Sequence, residues 1–337
     1  MTQKIKCYTS SSIGPCPTLN DNFDQHEESV SVYWDDAPID FNDGAFLRVI
    51  HHCEPAAVFP DIADKIVANH KYYDLIMTYD PKVLKACPNA VFLTEHACSW
   101  LPRKADRPSD PFGQMNYGSG LIHKNPQVAS YVGCDVSKKE FAVSFLTSSK
   151  RMFPGHQLRQ EIFDRLPDYV GDLRVFKHRS PPVIADKRTI LEPYMFHICP
   201  ENSQQDGYYT EKIVDCFVAK TIPIYWGCPD IGKYFNIGGI LTFESYDSLI
   251  KLLGQLSCVY EAAAGAIEQN FQRALARVHQ WDLMEEYICE AIARKRTFGN
   301  QRLEPETLKS VQQETLTPAQ QEAVAPNRPY RPLRRQK

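Results

Sequence analysis

At 337 residues the chain exceeds the length at which one hydrophobic core stops growing, so two domains are expected. Hydrophobic residues make up 43% and charged residues 23%, ordinary for a globular protein, and a net charge of -3 gives no electrostatic reason to expect nucleic acid as a partner. No apolar run reaches the ~18 residues that a membrane-spanning helix requires.

Lys4–Tyr8 reads as a strand rather than as a charged leader with an apolar core. Eleven cysteines are scattered from Cys7 to Cys289 with no CxxC pair and no zinc-type spacing, which suits buried thiols in a reducing compartment better than a disulfide framework. Both observations point to a cytoplasmic protein. Short apolar runs then alternate with stretches of helical period, the pattern of parallel sheets with crossover helices. Ser29–Trp34 and Phe46–Ile50 read as strands, and Asp61–His70 as a helix with Ile62, Ile66 and Val67 on one face. Asp74–Tyr79 is a strand, Pro81–Ala86 a short helix opened by proline, and Ala90–Thr94 another strand. The segment Glu95–Cys134 is rich in Pro, Gly, Ser and Asn without a period, and is read as the link between domains and a substrate loop.

The alternation restarts with a strand at Phe141–Thr147, a turn at Pro154-Gly155, and a helix over His156–Leu166 with Leu158, Ile162 and Leu166 in register. Strands follow at Leu173–Lys177 and Phe196–Cys199, a helix at Glu211–Ala219, and strands at Thr221–Trp226 and Ile240–Phe243. Tyr246–Arg296 has helical period. The expected architecture is therefore α/β, with two Rossmann-like domains facing across a cleft and a helical C-terminal region. Residues 1–134 form the first domain, 135–300 the second, and 301–337 a disordered tail rich in Gln, Glu, Pro and Thr. Its basic end (Arg328, Arg331, Arg334, Arg335, Lys337) is read either as solvated or as a weak contact to an anionic membrane surface. In such sheets ligands bind beyond the carboxyl ends of the strands, which puts the chemistry in the cleft.

The densest block of signals runs from Phe196 to Ile213. A strand ends at Glu201-Asn202, a polar loop contains Gly207, and a helix begins near Thr210. Thr210 is a natural N-cap, and Glu211 suits the positive helix end. Free amides there make an anion site to which Lys212 adds charge, so a diphosphate can be held without a metal. Gly207 lets the backbone approach a ligand closely, and Tyr208 and Tyr209 can cover a sugar or base. On capping grounds alone, an ordinary helix start explains the same residues.

The run Glu201-Asn-Ser-Gln-Gln-Asp-Gly-Tyr-Tyr-Thr-Glu-Lys-Ile, followed by Thr221-Ile-Pro-Ile-Tyr-Trp-Gly-Cys-Pro, resembles the signature of the α1,3/4-fucosyltransferases of glycosyltransferase family 10, closest to the bacterial form. The match is dense over Tyr194–Phe235 and thinner over Phe46–Leu166. The resemblance implies a GT-B fold and inverting transfer of fucose from GDP-fucose to a glycan hydroxyl, with no essential cofactor or metal. It also implies donor contacts from Asn202, Tyr208, Glu211 (on the ribose) and Lys212 (on the diphosphate). A phosphate-binding arginine is implied upstream, best aligned at Arg159 with Arg151 as the fallback. Two departures stand out: Pro200 replaces the usual Phe before Glu-Asn, and Gly207 stands where animal members carry Asp.

Inverting transfer needs a base for the acceptor proton. Glu54 follows the strand Phe46–Ile50 at its carboxyl end and resembles the family's first-domain glutamate, although the Ser between Glu and Pro is missing; a solvated loop carboxylate is the plain alternative. Four adjacent ligands in His51-His52-Cys53-Glu54 do not converge on one metal, because neighbours on a strand point to opposite faces. Glu95-His96, after another strand, is the second candidate for the base or for acceptor binding. A transferase of the same fold using another nucleotide sugar, and a non-catalytic nucleotide-sugar-binding protein, are the alternative functions.

Overall fold

The structure, a computed structural model, describes residues 5–8, 13–15, 28–40, 42–94, 134–180, 187–277 and 280–298. Glu95, His96, the rest of the expected substrate loop to 133, and the basic tail lie outside these residues.

In the first half, β1 (Ile5–Tyr8), β2 (Ile13–Pro15), β3 (Val30–Trp34) and β4 (Leu47–His52) are followed by α1 (Ile62–Asn69), β5 (Leu75–Thr78), α2 (Pro81–Ala86) and β6 (Ala90–Phe92). The strands form one six-stranded sheet in the order β2-β1-β3-β4-β5-β6, parallel except for the β1–β2 pair. β3 and β5 bury residues of both faces, as a doubly covered parallel sheet demands. Tyr33, Ile50 and Ile76 pack under Ile62, Ile66 and Val83 of the two helices. β4 runs two residues beyond the expected Ile50, so His51 and His52 belong to the strand and Glu54 is the second residue after it.

The second half begins with β7 (Glu140–Ser148), α3 (Pro154–Arg165), β8 (Tyr169–Val170), β9 (Leu173–Ser180), α4 (Arg188–Leu191) and β10 (Tyr194–Pro200). It continues through α5 (Glu211–Val218), β11 (Ile222–Trp226), β12 (Leu241–Thr242), α6 (Tyr246–Leu253), α7 (Val259–Ala262), α8 (Ala264–Arg277) and α9 (Gln280–Phe298). The second sheet has the order β12-β11-β10-β7-β9-β8, parallel except for β8–β9. Ile213, Val214 and Phe217 of α5 cover one face, and Ile162 of α3 with Leu249 and Leu253 of α6 cover the other. The strand order reverses at β7, from which the chain first goes to β9 and later returns to β10 on the other side. Such a reversal opens a crevice at the carboxyl ends of the two central strands. Pro200 does not disturb this edge. The Glu201 amide continues the ladder to the Trp226 carbonyl at 2.7 Å, while the pairing with β7 ends earlier, at Ile198 with Phe145.

The helical stretch after Tyr246 is not one body. Its last member, α9, leaves the second sheet and lays Met284, Ile288 and Ile292 against Val30, Val32, Leu47, Val49 and Met77 of the first. The expected division at 300 places these residues with the second domain, whereas their packing partners are in the first. The sheets also meet through the loop between β10 and α5. Gln205 accepts from the Ala56 amide and donates to Asp80, both at 3.0 Å. Phe92 stacks on Tyr234 with ring centroids 5.6 Å apart. Among the described residues no helix is long and apolar enough to cross a membrane, and Cys87, Cys134, Cys199, Cys216, Cys228 and Cys258 are free thiols.

Candidate active site

Glu201 organises the end of β10. It is fully buried, and its carboxylate accepts from the Thr210 amide at 2.9 Å and the Thr210 hydroxyl at 2.7 Å. The Thr210 hydroxyl in turn accepts from the amide of Lys212 at 3.3 Å and from its ammonium at 2.9 Å. The N-cap expected at Thr210 is present, but its neighbourhood differs from the expectation of free amides. Thr210 N and Lys212 N are taken by the protein's own groups, and a carboxylate already answers the positive helix end. Charge for an anion is therefore carried by side chains.

Those side chains converge at the crevice. Arg159, on α3 and 7% exposed, donates to the Asn202 side-chain oxygen at 2.6 Å. Arg151, the other arginine considered, is exposed in the turn before α3. The Lys212 ammonium lies 3.4 Å from both Glu201 and Glu211. Burial opposes its charge, but the two carboxylates outweigh that and raise its pKa. The imidazole of His156 registers the local field. Burial lowers its pKa, and Arg159, Lys150 and Lys212 add to this, bringing it to about 4. Three cations thus act on one point at the switch of strand order.

Two close approaches set this geometry. At Gly155 an added Cβ would stand 1.8 Å from the Glu201 carbonyl oxygen, and at Gly227 it would stand 2.6 Å from the Glu201 side chain. Glycine is thus required on both sides of Glu201. Gly155 also donates its amide to the Asn202 carbonyl at 2.9 Å, which ties the start of α3 to the strand end.

Glu54 faces this cluster from the first sheet. Burial raises its carboxyl pKa, and Asp35 raises it further. Lys212 pulls it down, Glu211 raises it and Lys150 lowers it. Two sheets thus contribute to one electrostatic site. The Glu54 peptide is held on both sides: Asp35 accepts from its amide at 3.0 Å, and the Tyr79 hydroxyl donates to its carbonyl at 3.2 Å. His51 and His52 have separate surroundings. His51 packs edge-on against Trp34, while His52 meets Thr78 at 2.9 Å and lies against Tyr79 with the two rings tilted by 34°. The Cys53 thiol donates to Asp35. Among the described residues no group of His, Cys, Asp or Glu is placed to hold a metal ion.

The tyrosines behave differently from one another and from the expectation. Tyr209 is 1% exposed inside the core with Tyr234 and Phe235, so it covers no ligand. Tyr208, 2% exposed, packs against Tyr79 with ring centroids 5.5 Å apart, at the seam between the sheets. Gly207, at φ +75°, meets protein rather than ligand. A Cβ there would stand 2.7 Å from the Tyr79 carbonyl oxygen. Glu211 is 5% exposed and lies 3.8 Å from Lys187, which also pairs with Asp215 at 2.9 Å.

Sequence reading passed over Glu201, Lys150, Lys187 and Asp35 as contributors. Lys150 follows β7 at the switch point, a positional signal that was available once the strand order was known. Glu201 is part of the quoted motif, but only the fold shows that it is sealed from solvent and acts through Thr210 and Lys212.

A family model described as "Glycosyltransferase family 10 (fucosyltransferase) C-term" matches residues 136–305, half of the chain. An α-(1,3)-fucosyltransferase of Helicobacter pylori is 40% identical over 154 residues, which is 44% of this chain and 31% of that relative; the chain thus spans about a third of its length. A solved α1,3-fucosyltransferase structure with GDP-fucose aligns at a TM-score of 0.46 and 20% identity, over 78% of this chain and 77% of that one. The structure of TarM aligns at 0.45 and 12% identity, over 78% and 54%. With the Glu201–Ile213 signature lying wholly inside the matched segment, the chain belongs to glycosyltransferase family 10, the fucosyltransferases.

Proposed function

We propose that the protein is an inverting glycosyltransferase that moves fucose from GDP-fucose to a hydroxyl of a glycan acceptor. The observation that carries this reading is the meeting of Glu54, from the first sheet, with the field of Lys212, Glu211 and Lys150 from the second. An acid–base group and a cation cluster on opposite walls of one crevice suit group transfer from a diphosphate donor. The family and the names of its relatives supply the sugar. In the proposed step, the acceptor hydroxyl gives its proton to a Glu54 carboxylate oxygen while its own oxygen bonds to the anomeric carbon. The bond from that carbon to the β-phosphate oxygen breaks, its electron pair leaves with GDP, and the charge gained there is met by Lys212, Arg159 and Lys150. Asn202, oriented by Arg159, completes the donor contacts, with Glu211 on the ribose and Tyr208, packed on Tyr79, backing the site from the seam between the sheets. These cations supply the countercharge that a divalent metal supplies in other transferases, so no essential metal is required. Residues 1–134 and 135–300 serve as acceptor and donor domains, with α9 lent back to the first.

The test is a donor screen with EDTA present: GDP-fucose, GDP-mannose and UDP-sugars against thermal stability and hydrolysis, followed by a glycan array with the donor that binds. Stabilisation by both GDP-sugars, through the GDP they share, and turnover by GDP-fucose alone are expected. A response to a UDP-sugar alone would replace the donor assignment, binding with no turnover on any acceptor would leave a binding protein, and loss of activity in EDTA would require a metal. For Lys212→Ala and Arg159→Ala, GDP affinity is expected to fall about 10- to 100-fold, because each removes a hydrogen bond to a charged group worth about 1.5–3 kcal/mol. Titrations like the wild type would place the pyrophosphate elsewhere.

A further inference from the structure

Immediately after β3, the backbone of Asp35 takes φ +48°, a left-handed conformation that few side chains adopt and that Asp tolerates better than most. Its amide still extends the ladder, donating to the His51 carbonyl at 2.9 Å. The side chain, 8% exposed, turns toward the residues that follow β4. One oxygen accepts from the Cys53 amide at 2.9 Å and the Glu54 amide at 3.0 Å, and the other accepts from the Cys53 thiol at 3.1 Å. Two consecutive amides on one carboxylate oxygen fix the direction in which the chain leaves the strand. The Tyr79 hydroxyl then holds the carbonyl of the same residue.

We propose that Asp35 is a positioning residue for Glu54: its carboxylate clamps the two amides leading into Glu54 and thereby sets where that side chain stands in the crevice. This rests on the reading of Glu54 as the base. The backbone conformation belongs to the turn that Asp35 opens after the strand, closed by the Ala37 amide on the Trp34 carbonyl at 3.0 Å, and the clamp accounts for a buried carboxylate placed beside a second one. The second effect is electrostatic. The groups facing Glu54 are Asp35 at the end of β3, Tyr79 after β5, Lys150 before α3, Tyr208 in the loop, and Glu211 and Lys212 on α5. Among the charged ones Asp35 makes the largest contribution, and it favours the protonated form of Glu54, which strengthens it as a base when ionised.

Two substitutions separate clamp from charge. Asp35→Asn keeps an acceptor oxygen for both amides and tolerates positive φ, but loses the charge. Asp35→Gly accepts the backbone conformation and loses both. Turnover is read as GDP released from GDP-fucose with the acceptor selected on the array, and GDP affinity by calorimetry. Asp35→Gly is expected to lower kcat at least about tenfold, since small misplacement of a reacting group is costly, with KM for GDP-fucose and GDP affinity unchanged. Asp35→Asn should keep most of kcat and move the acid limb of kcat/KM to lower pH. In a Glu54→Gln background, Asp35→Gly should cost nothing further. Wild-type kcat with an unmoved pH profile in Asp35→Gly overturns the proposal, as does a parallel loss of GDP affinity, which would make Asp35 a support of the fold as a whole. An active Glu54→Gln removes the base itself, whereas an inactive Glu54→Gln beside an active Asp35→Gly removes only the role of Asp35.

Discussion

Replacing Glu54 by Gln is expected to leave GDP affinity unchanged and to lower transfer at least about 100-fold, the usual scale on which a general base contributes. The amide keeps the volume and polar contacts of the carboxyl but cannot take the acceptor proton. Calorimetry with GDP and turnover with GDP-fucose separate the two effects, and full turnover in the variant would move the base elsewhere. The pH dependence follows from the same environment. Burial and Asp35 raise the Glu54 pKa in the folded protein, and the active form is the ionised one. The acid limb of kcat/KM therefore lies above the ordinary glutamate value of about 4.3. Linkage has the opposite sign for stability. Between the unfolded and folded values the folded state binds more protons, so this group's contribution declines as pH rises through that window. At neutral pH the charge costs stability, and Glu54→Gln should melt no lower than the wild type. An inactive variant that is also less stable would point to a structural defect.

Gly155→Ala is expected to be the most damaging conservative change near the site. Its methyl group would meet the Glu201 carbonyl oxygen at 1.8 Å, a backbone atom that cannot step aside. Relief requires α3 to lift from the end of β10, which breaks the Gly155–Asn202 bond and draws Arg159 from Asn202. Overpacking of this kind costs about 1–3 kcal/mol and sometimes more. Melting temperature and GDP affinity should fall together, the latter by at least about tenfold if one charged hydrogen bond is lost. Gly265 provides the control. It lies in α8 with open space around the position of a Cβ, so Gly265→Ala should be neutral or stabilising by up to about 1 kcal/mol. Equal losses in both variants would mean that the contact with Glu201 is not the cause.

The alternation of apolar runs and helical stretches was enough to place most strands of both sheets, because β-branched and aromatic runs such as Val30–Trp34 and Ile222–Trp226 are buried on both faces and leave a continuous apolar trace. The short β8 and α4 left none, being two and four residues long. In the site, the helix start capped by Thr210 was legible, and the structure brings Asn202 and Lys212, which the resemblance singled out, to one crevice with Arg159. Local chemistry misread Gly207 and Tyr209. Both have residue types suited to a ligand, but their neighbours, the Tyr79 carbonyl and the Tyr234–Phe235 rings, come from elsewhere in the chain. The same holds for Asp35, whose two amide partners lie 18 and 19 positions away, on the next strand's exit. Long-range pairing of this sort has no local trace.

The return of α9 to the first sheet carries a consequence for biosynthesis. Val30, Val32, Leu47 and Val49 leave the ribosome long before Met284, Ile288 and Ile292, which cover them. Until α9 emerges, that apolar face lacks these partners and is open to other nascent chains. The N-terminal half therefore cannot complete its fold on its own, and a fragment ending before residue 280 should need chaperones to remain unaggregated, or regain its structure only when the 280–298 segment is supplied as a separate peptide.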